Sequence, residues 1–179
     1  MDKKTIQMNK KLGYADLQDH LIALDEAGLL LTIDAEVNKD TEMHALVRWQ
    51  FRGGILEKDR KAFLFTNVVD AKGRHFDMPV VVGALAANSA VYRIGMNVSL
   101  DDIGTAWQNA VDNPIKPVPV ENAPCQEVIL QGSDITGEGR GLDALPVPIS
   151  SPGFDSAPYL TAGNFITKDP DNGIQNMGI

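Results

Sequence analysis

Four of the twelve residues in the stretch "NPIKPVPVENAP", 113–124, are proline. Proline fixes its own φ and offers no backbone N–H, so such a run suits neither a helix interior nor a central strand. It reads as an extended connector. This one feature constrains the chain most, because the two sides differ in character. Upstream, helical and strand patterns alternate. Downstream, there is no helical pattern. The division therefore runs as a tail over 1–11, an α/β region over 12–112, the connector over 113–124, and the start of an all-β region over 125–179.

In the upstream region, "YADLQDHLIALDEAGLLLTI" places Leu17, Leu21 and Leu24 at helical spacing, with Ile22 widening the stripe. Asp16 and Asp19 sit where the helix dipole favours acids, and Gly28 suits a left-handed C-terminal position. "LLLTI" reads as a strand. "NKDTEMHALVRWQ" is a second helix, capped by Asp40 or Thr41 and carrying Met43, Leu46, Val47 and Gln50. "AFLFTNV" and "MPVVVG" are strands, and the unbroken apolar run of the latter predicts burial on both faces. "SAVYRIGM" is a short helix. Ser99 and Asp102 form an S-x-x-D capping box ahead of Ile103, Ala106, Trp107 and Ala110. Past the connector come "CQEVIL" as a strand, a glycine-rich loop, "LPVPISSPG" and a terminal hairpin. The fold class is α/β, followed by an unfinished β region.

Bulk properties exclude some functions. A net charge of -8 and a pI near 4.8 argue against a general nucleic-acid surface, which needs clustered Lys and Arg. No stretch of about 18 apolar residues exists, so no membrane span is predicted. Cys125 is the single cysteine, which rules out an internal disulfide and fits a reducing, cytoplasmic compartment. "MDKKTIQMNKK" is basic but lacks the apolar stretch of a signal peptide. It reads as a solvated flexible arm.

Most chemistry-bearing residues have a plain structural reading. "GEGRG" (Gly137, Gly139, Gly141) precedes "LDALPVP" rather than a helix, so it reads as a flexible loop and not a phosphate cradle. His20, His44 and His75 lie in three unrelated contexts, and none has a nucleophile motif beside it. Cys125 has no basic neighbour in sequence and reads as a buried structural thiol. Glu26, Glu36, Glu42, Asp101 and Asp102 are scattered over helix faces and turns, without a pairing that would drive their pKa values apart.

The terminal hairpin differs. "KDPDNG" contains Asn172-Gly173, a strong turn dipeptide. Alternation after it puts Ile174, Asn176 and Gly178 on one face, which is expected to be an interior one. A buried Asn needs partners for its amide. A backbone bond is the ordinary solution, and a hard cation such as Mg or Mn is another, since the carbonyl is an oxygen ligand.

Several stretches together resemble one family. They are "DLQDHLIALDEAGLLLTI", "FTNVVD" with "MPVVVG", "ENAPCQEVIL", "LPVPISSPGFDSAPYLTAGNFITKDPDNG" and "QNMGI". In this order they look like the N-terminal part of the UbiD family of prenylated-flavin-dependent decarboxylases. The resemblance starts near Leu12, and "APCQEV" and "PYLTAGNFITKDPDNG-QN-GI" are its most specific parts. It implies an N-terminal α/β region leading into a flavin-binding split β-barrel, here only begun. It implies reversible non-oxidative decarboxylation of an aromatic or α,β-unsaturated carboxylic acid, with the cofactor carrying the difficult step. The implied cofactors are prenylated FMN, a divalent metal (Mn or Mg) and, as an option, K. By the same resemblance Asn176 matches the Asn that ligates the metal. Ile179 matches the first residue of the stretch running along the cofactor, and Thr161 a strand threonine near the flavin.

The resemblance further implies that the chain is a portion of a longer homo-oligomeric enzyme. The arginine that comes next in the family, the other metal ligands and the proton-handling acids are not in these residues. No catalytic residue is assigned, and the isolated chain is expected to be inactive. "RWQFRGGILEKDRKAFLF" and "NSAVYRIGM" depart from the ubiquinone-pathway members and leave the substrate open. A second reading is a non-catalytic subunit or binding module that docks on a partner through an open β-edge.

Overall fold

The computed structural model describes residues 14–178. The predicted tail over 1–11 and Ile179 lie outside the described residues. In the first region, β1 (Leu30–Ile33) pairs with β3 (Ala62–Phe65) and β2 (Val37–Asn38) with β4 (Val68–Val69), both parallel, while β3 pairs antiparallel with β6 (Val80–Val82). β5 (His75–Phe76) pairs antiparallel with β4. The sheet orders are β1-β3-β6 and β2-β4-β5. Thr66 N–H donates to Ile33 C=O and Val37 N–H to Asn67 C=O. These bonds join the two sheets end to end, so they are successive stretches of one twisted three-stranded ribbon.

Helices cover both faces of this ribbon. α1 (Leu17–Glu26) and α3 (Ser89–Met96) lie on one side, where Leu21, Leu24, Ala62, Ala84, Ala87 and Val91 form a core. α2 (Met43–Arg52) lies on the other, where Val37, Met43, Val47, Phe65 and Val68 form a second core. Strand alternation explains the split. Val81 packs into the first core, while Val80 and Val82 pack into the second. The run "MPVVVG" thus serves both faces, as its unbroken apolar pattern predicts, although each valine is only half-buried.

The helix ends follow local chemistry. Asp16 caps α1 by accepting from Asp19 N–H, and Gly28 takes φ 68° just past its end. Asn88 caps α3 by accepting from Val91 N–H at 2.7 Å and donates to Arg60 C=O at 2.6 Å. The expected cap of α2 is displaced. Its N-cap is Glu42, whose carboxylate reaches back to Asn38 N–H, while Asn38 Oδ1 accepts from Asp40 and Thr41 N–H. Asp40 is drawn away because it accepts from Ala71 N–H and Lys39 Nζ. α4 (Ile103–Asp112) forms where predicted, but only half of its capping box does. Ser99 Oγ accepts from Asp102 N–H, and Asp102 takes the Ser99 hydroxyl rather than its backbone N–H.

From 114 to 120 the chain is irregular and exposed. Beyond it come three 3-10 turns, Pro124–Gln126, Gly132–Ile135 and Gly141–Ala144, then the hairpin of β7 (Phe165–Lys168) and β8 (Gln175–Gly178). No closed barrel is present among the described residues. "CQEVIL" is not a strand: Glu127 N–H turns back to Pro124 C=O, and no described strand pairs with residues 128–130. Cys125 is accordingly exposed rather than buried.

Candidate functional site

The hairpin is built by its turn. Asp169 accepts from Asp171 N–H at 2.8 Å and from the Asn172 side chain at 2.7 Å, and Asn172 Oδ1 accepts from Ile174 N–H at 2.8 Å. Gly173 adopts φ 74°, a conformation that costs glycine little. The register pairs Phe165 with Gly178, Ile166 with Met177, Thr167 with Asn176 and Lys168 with Gln175. Directly paired residues share a face, so Asn176 stands with Phe165, Thr167 and Gly178.

Phe165 in turn lines a cavity of about 410 Å³ at the seam between the two regions. Lys39 and Arg74 come to it from the first region, and Leu142, Leu145, Tyr159 and Leu160 from the second. The walls are apolar and the two cations are already engaged. Lys39 pairs with Asp40 at 2.6 Å. Arg74 donates through Nε to Asp70 at 3.1 Å and through its two Nη groups to Asp143 at 2.9 and 3.2 Å. Both cations also lie against the Phe76 ring, Arg74 at 4.7 Å and Lys39 at 5.8 Å from its centre. The Arg74 guanidinium, with the Gly139 N–H, holds the Asp143 carboxyl down to about 2. Asp70 is lowered too, chiefly by the backbone N–H of Arg74.

A second tie crosses the seam. Arg48 on α2 donates to Ser150 C=O at 2.8 Å and to Ser151 Oγ at 2.9 Å. His44, one turn earlier, is lowered in pKa by burial and by Arg48, against an opposing pull from Asp155. Thr161 lines a second hollow beside this tie, with Ser151, Phe154 and Tyr159. It lies in a turn ahead of β7 rather than in the strand that the resemblance implies.

The structure therefore places Asn176 on the hairpin face that also carries Phe165, a residue of the seam cavity, without Asn176 itself lining that cavity, and sets Thr161 at a neighbouring hollow. It does not give Asn176 an interior. Every described residue of β7 and β8 is exposed, because a two-stranded hairpin has no second layer to bury either face. Nor do the described residues build a metal centre. Asn176 offers one carbonyl oxygen where Mg or Mn needs several, and no group of three or more His, Cys, Asp or Glu is placed to hold an ion among the described residues. The expected solvation of Glu26, Glu36, Glu42, Asp101 and Asp102 holds, since all are exposed. Arg74, Asp143 and Arg48 carry no local motif. Their partners across the seam lie 69 and 102 residues away in sequence, and only the fold reveals them.

Two family profiles match the chain. Residues 21–110 match the 3-octaprenyl-4-hydroxybenzoate carboxy-lyase N-terminal domain, and residues 116–179 match the Rift-related domain of the same carboxy-lyase. The chain belongs to the UbiD family. Solved UbiD-class structures agree. The enzyme HmfF from Pelotomaculum thermopropionicum in complex with FMN is 28% identical, with a TM-score of 0.70 over 90% of this chain and 32% of that one. An evolved dimeric form of the same enzyme with prenylated FMN is 28% identical, with a TM-score of 0.71 over 90% of this chain and 34% of that one. Vanillic acid decarboxylase of Sedimentibacter hydroxybenzoicus in its open form shares the fold at 21% identity, with a TM-score of 0.67 over 92% of this chain and 34% of that one. This UbiD-family chain thus spans about a third of the length of the solved chains it matches. No helix among its described residues is long and apolar enough to cross a membrane.

Proposed function

We propose that this chain forms the cofactor-side N-terminal portion of a cytoplasmic prenylated-FMN-dependent decarboxylase. The reaction is reversible, non-oxidative decarboxylation of an aromatic or α,β-unsaturated carboxylic acid. One observation carries the reading: residues 116–179, which match the carboxy-lyase domain, end in a formed hairpin that presents Asn176 on an open face. That the chain resembles a UbiD-class enzyme solved with FMN and with prenylated FMN supports the choice of cofactor.

In this reading the domain boundary falls at 113–124. Asn176, Thr161 and Ile179 contact the cofactor, which supplies the electron sink for decarboxylation when bound. Asn176 would contribute one oxygen ligand to a divalent ion, Mn or Mg, and K is an optional further ion. The complete protein is a homo-oligomer, and the 179 residues alone turn nothing over. The test is isotope exchange between labelled CO2 and a panel of aromatic and unsaturated acids, with the full natural protein and with these 179 residues alone, each supplied with prenylated FMN. Exchange by the full protein only is the expected result. Exchange by neither, with the cofactor demonstrably bound, would overturn the reading.

The exposed surface favours a second reading, a binding module completed by a partner. Among the described residues from 113 to 178 only Pro146 is buried. The hairpin also has no third strand among the described residues, and an unpaired strand edge is a template for pairing with another chain.

A further inference from the structure

We infer that Arg74 is a positioning residue: the Asp70–Arg74–Asp143 clamp fixes the second region against the first and thereby sets where the hairpin bearing Asn176 stands. This rests on the reading of that hairpin as a cofactor segment.

The guanidinium is set before it meets Asp143. Asp70 is buried and accepts from the backbone N–H of both Lys72 and Arg74, which locks the β4–β5 turn. Gly73 takes φ 79° there, and its N–H closes on Asp70 C=O. Asp70 Oδ2 then holds Arg74 Nε, and the Phe76 ring supports the guanidinium plane. What remains is a two-pronged fork facing outward, and Asp143 accepts both prongs. A planar fork of this kind fixes direction as well as distance.

Asp143 carries the constraint onward. It also accepts from Gly139 N–H and belongs to the turn Gly141–Ala144, which ends at Leu145. Leu142 and Leu145 line the seam cavity together with Tyr159 and Phe165. Tyr159 N–H donates to Pro148 C=O, tying the approach to the hairpin back onto the same segment. Arg48 holds the next stretch at Ser150 and Ser151. Two arginines of the first region thus pin consecutive parts of the second.

The neighbouring pair Lys72–Glu138 supplies a control. It bridges the same regions at 2.7 Å, but both side chains are about three-quarters exposed, 77% and 75%. An exposed pair of this kind contributes little.

The test uses the full natural protein as wild type, Arg74→Gln, Asp143→Asn, the double variant, Arg74→Lys and Lys72→Ala. Amide hydrogen exchange at residues 139–145 and affinity for FMN, by flavin fluorescence, are measured on each. Arg74→Gln and Asp143→Asn are each expected to raise exchange about fivefold and to weaken FMN by a similar factor, because the clamp is half exposed. The double variant should lose no more than either single one. Arg74→Lys should rescue only part, since an ammonium cannot fork, and Lys72→Ala should change nothing. Unchanged exchange in Arg74→Gln, or losses that add in the double variant, would overturn the inference. Faster exchange with unchanged FMN affinity would also overturn it, because the clamp would then not reach the hairpin. A wild type that binds no FMN would remove the cofactor reading and with it the hairpin's role, while the exchange arm still decides whether the clamp orders 139–145.

Discussion

Residues 17–112 and residues 113–178 are joined in one chain yet hold themselves together differently. The first region closes two apolar cores on the two faces of one ribbon, with Leu24, Met43, Ala62, Phe65 and Val91 fully out of water. In the second, Pro146 alone among the described residues is buried. Its order comes from turns, from the Asp169 network and from the ties at Arg74 and Arg48. Burial of apolar surface is the dominant stabilising term in folding. Polar ties at half-exposed positions are weak. The first region therefore has the means to fold by itself, and the second depends on its attachment to the first.

The sharpest way to break this contrast is to cut into both regions equally. Phe65→Ala removes a fully buried ring and should cost about 3–5 kcal/mol. Phe165→Ala removes a ring that is 65% exposed and should stay within about 0.5 kcal/mol. Urea denaturation read by the fluorescence of Trp49 and Trp107, both in the first region, checks the pair. Comparable losses would show that the hairpin shares a core with the rest. Next in size is Asn88→Ala. It removes the cap of α3 and leaves Arg60 C=O without its buried donor, a loss of about 2 kcal/mol on the same denaturation curve. A loss no larger than that of a surface substitution would mean that the cap and its long-range bond are dispensable.

Legibility in the sequence divides along the same line. α1, α3, α4, β1, β3 and β6 carry their own period and their own end signals, and they form where the pattern places them. The Asn172-Gly173 turn is equally local, and the hairpin forms around it. The failures are non-local. Asp40 is a good cap by type, but Ala71 N–H and Lys39 compete for it. "CQEVIL" has the composition of a strand, but a strand needs a partner, and none of the described strands lies alongside. Interiors for Cys125 and Asn176 presuppose a second layer, and both residues are exposed. Of the candidate site, sequence pattern puts Asn176 on the correct strand, and the family resemblance marks Thr161. The seam cavity with Arg74, and the separate Arg48 tie, depend on contacts across the fold and leave no periodic trace.

The ties of the second region should respond to acid before the cores do. Asp143 is lowered from 3.8 to about 2, first by Arg74, and Asp70 is lowered in the same direction. A carboxyl with a depressed folded pKa contributes its stability fully above its unfolded value and loses it as pH falls through the folded one. Exchange protection at 139–145 should therefore hold from neutral pH to about 4 and fall between about 4 and 2. The amides of β3 should keep theirs until the whole fold gives way. Loss of both sets at one pH would erase the distinction between the regions.

The smallest expected effect lies at the second tie. His44 sits below the usual imidazole range because burial and then the Arg48 charge disfavour its cation, and Asp155 pulls the other way. Asp155 also accepts from Ser151 N–H and so belongs to the turn that Arg48 holds. Removing its charge by Asp155→Asn should lower the His44 pKa further, because the one opposing influence is gone. Arg48→Gln should raise it. A histidine with a depressed folded pKa favours the fold above its unfolded value and disfavours it as pH falls below. In Asp155→Asn the seam should therefore lose slightly more of its hold in mild acid than in the wild type. NMR titration of the His44 ring in the two variants reads this directly. Shifts of opposite sign would confirm that α2 and the Ser151–Asp155 turn sense each other across the seam. A His44 pKa indifferent to Asp155 would mean that the second tie rests on Arg48 alone.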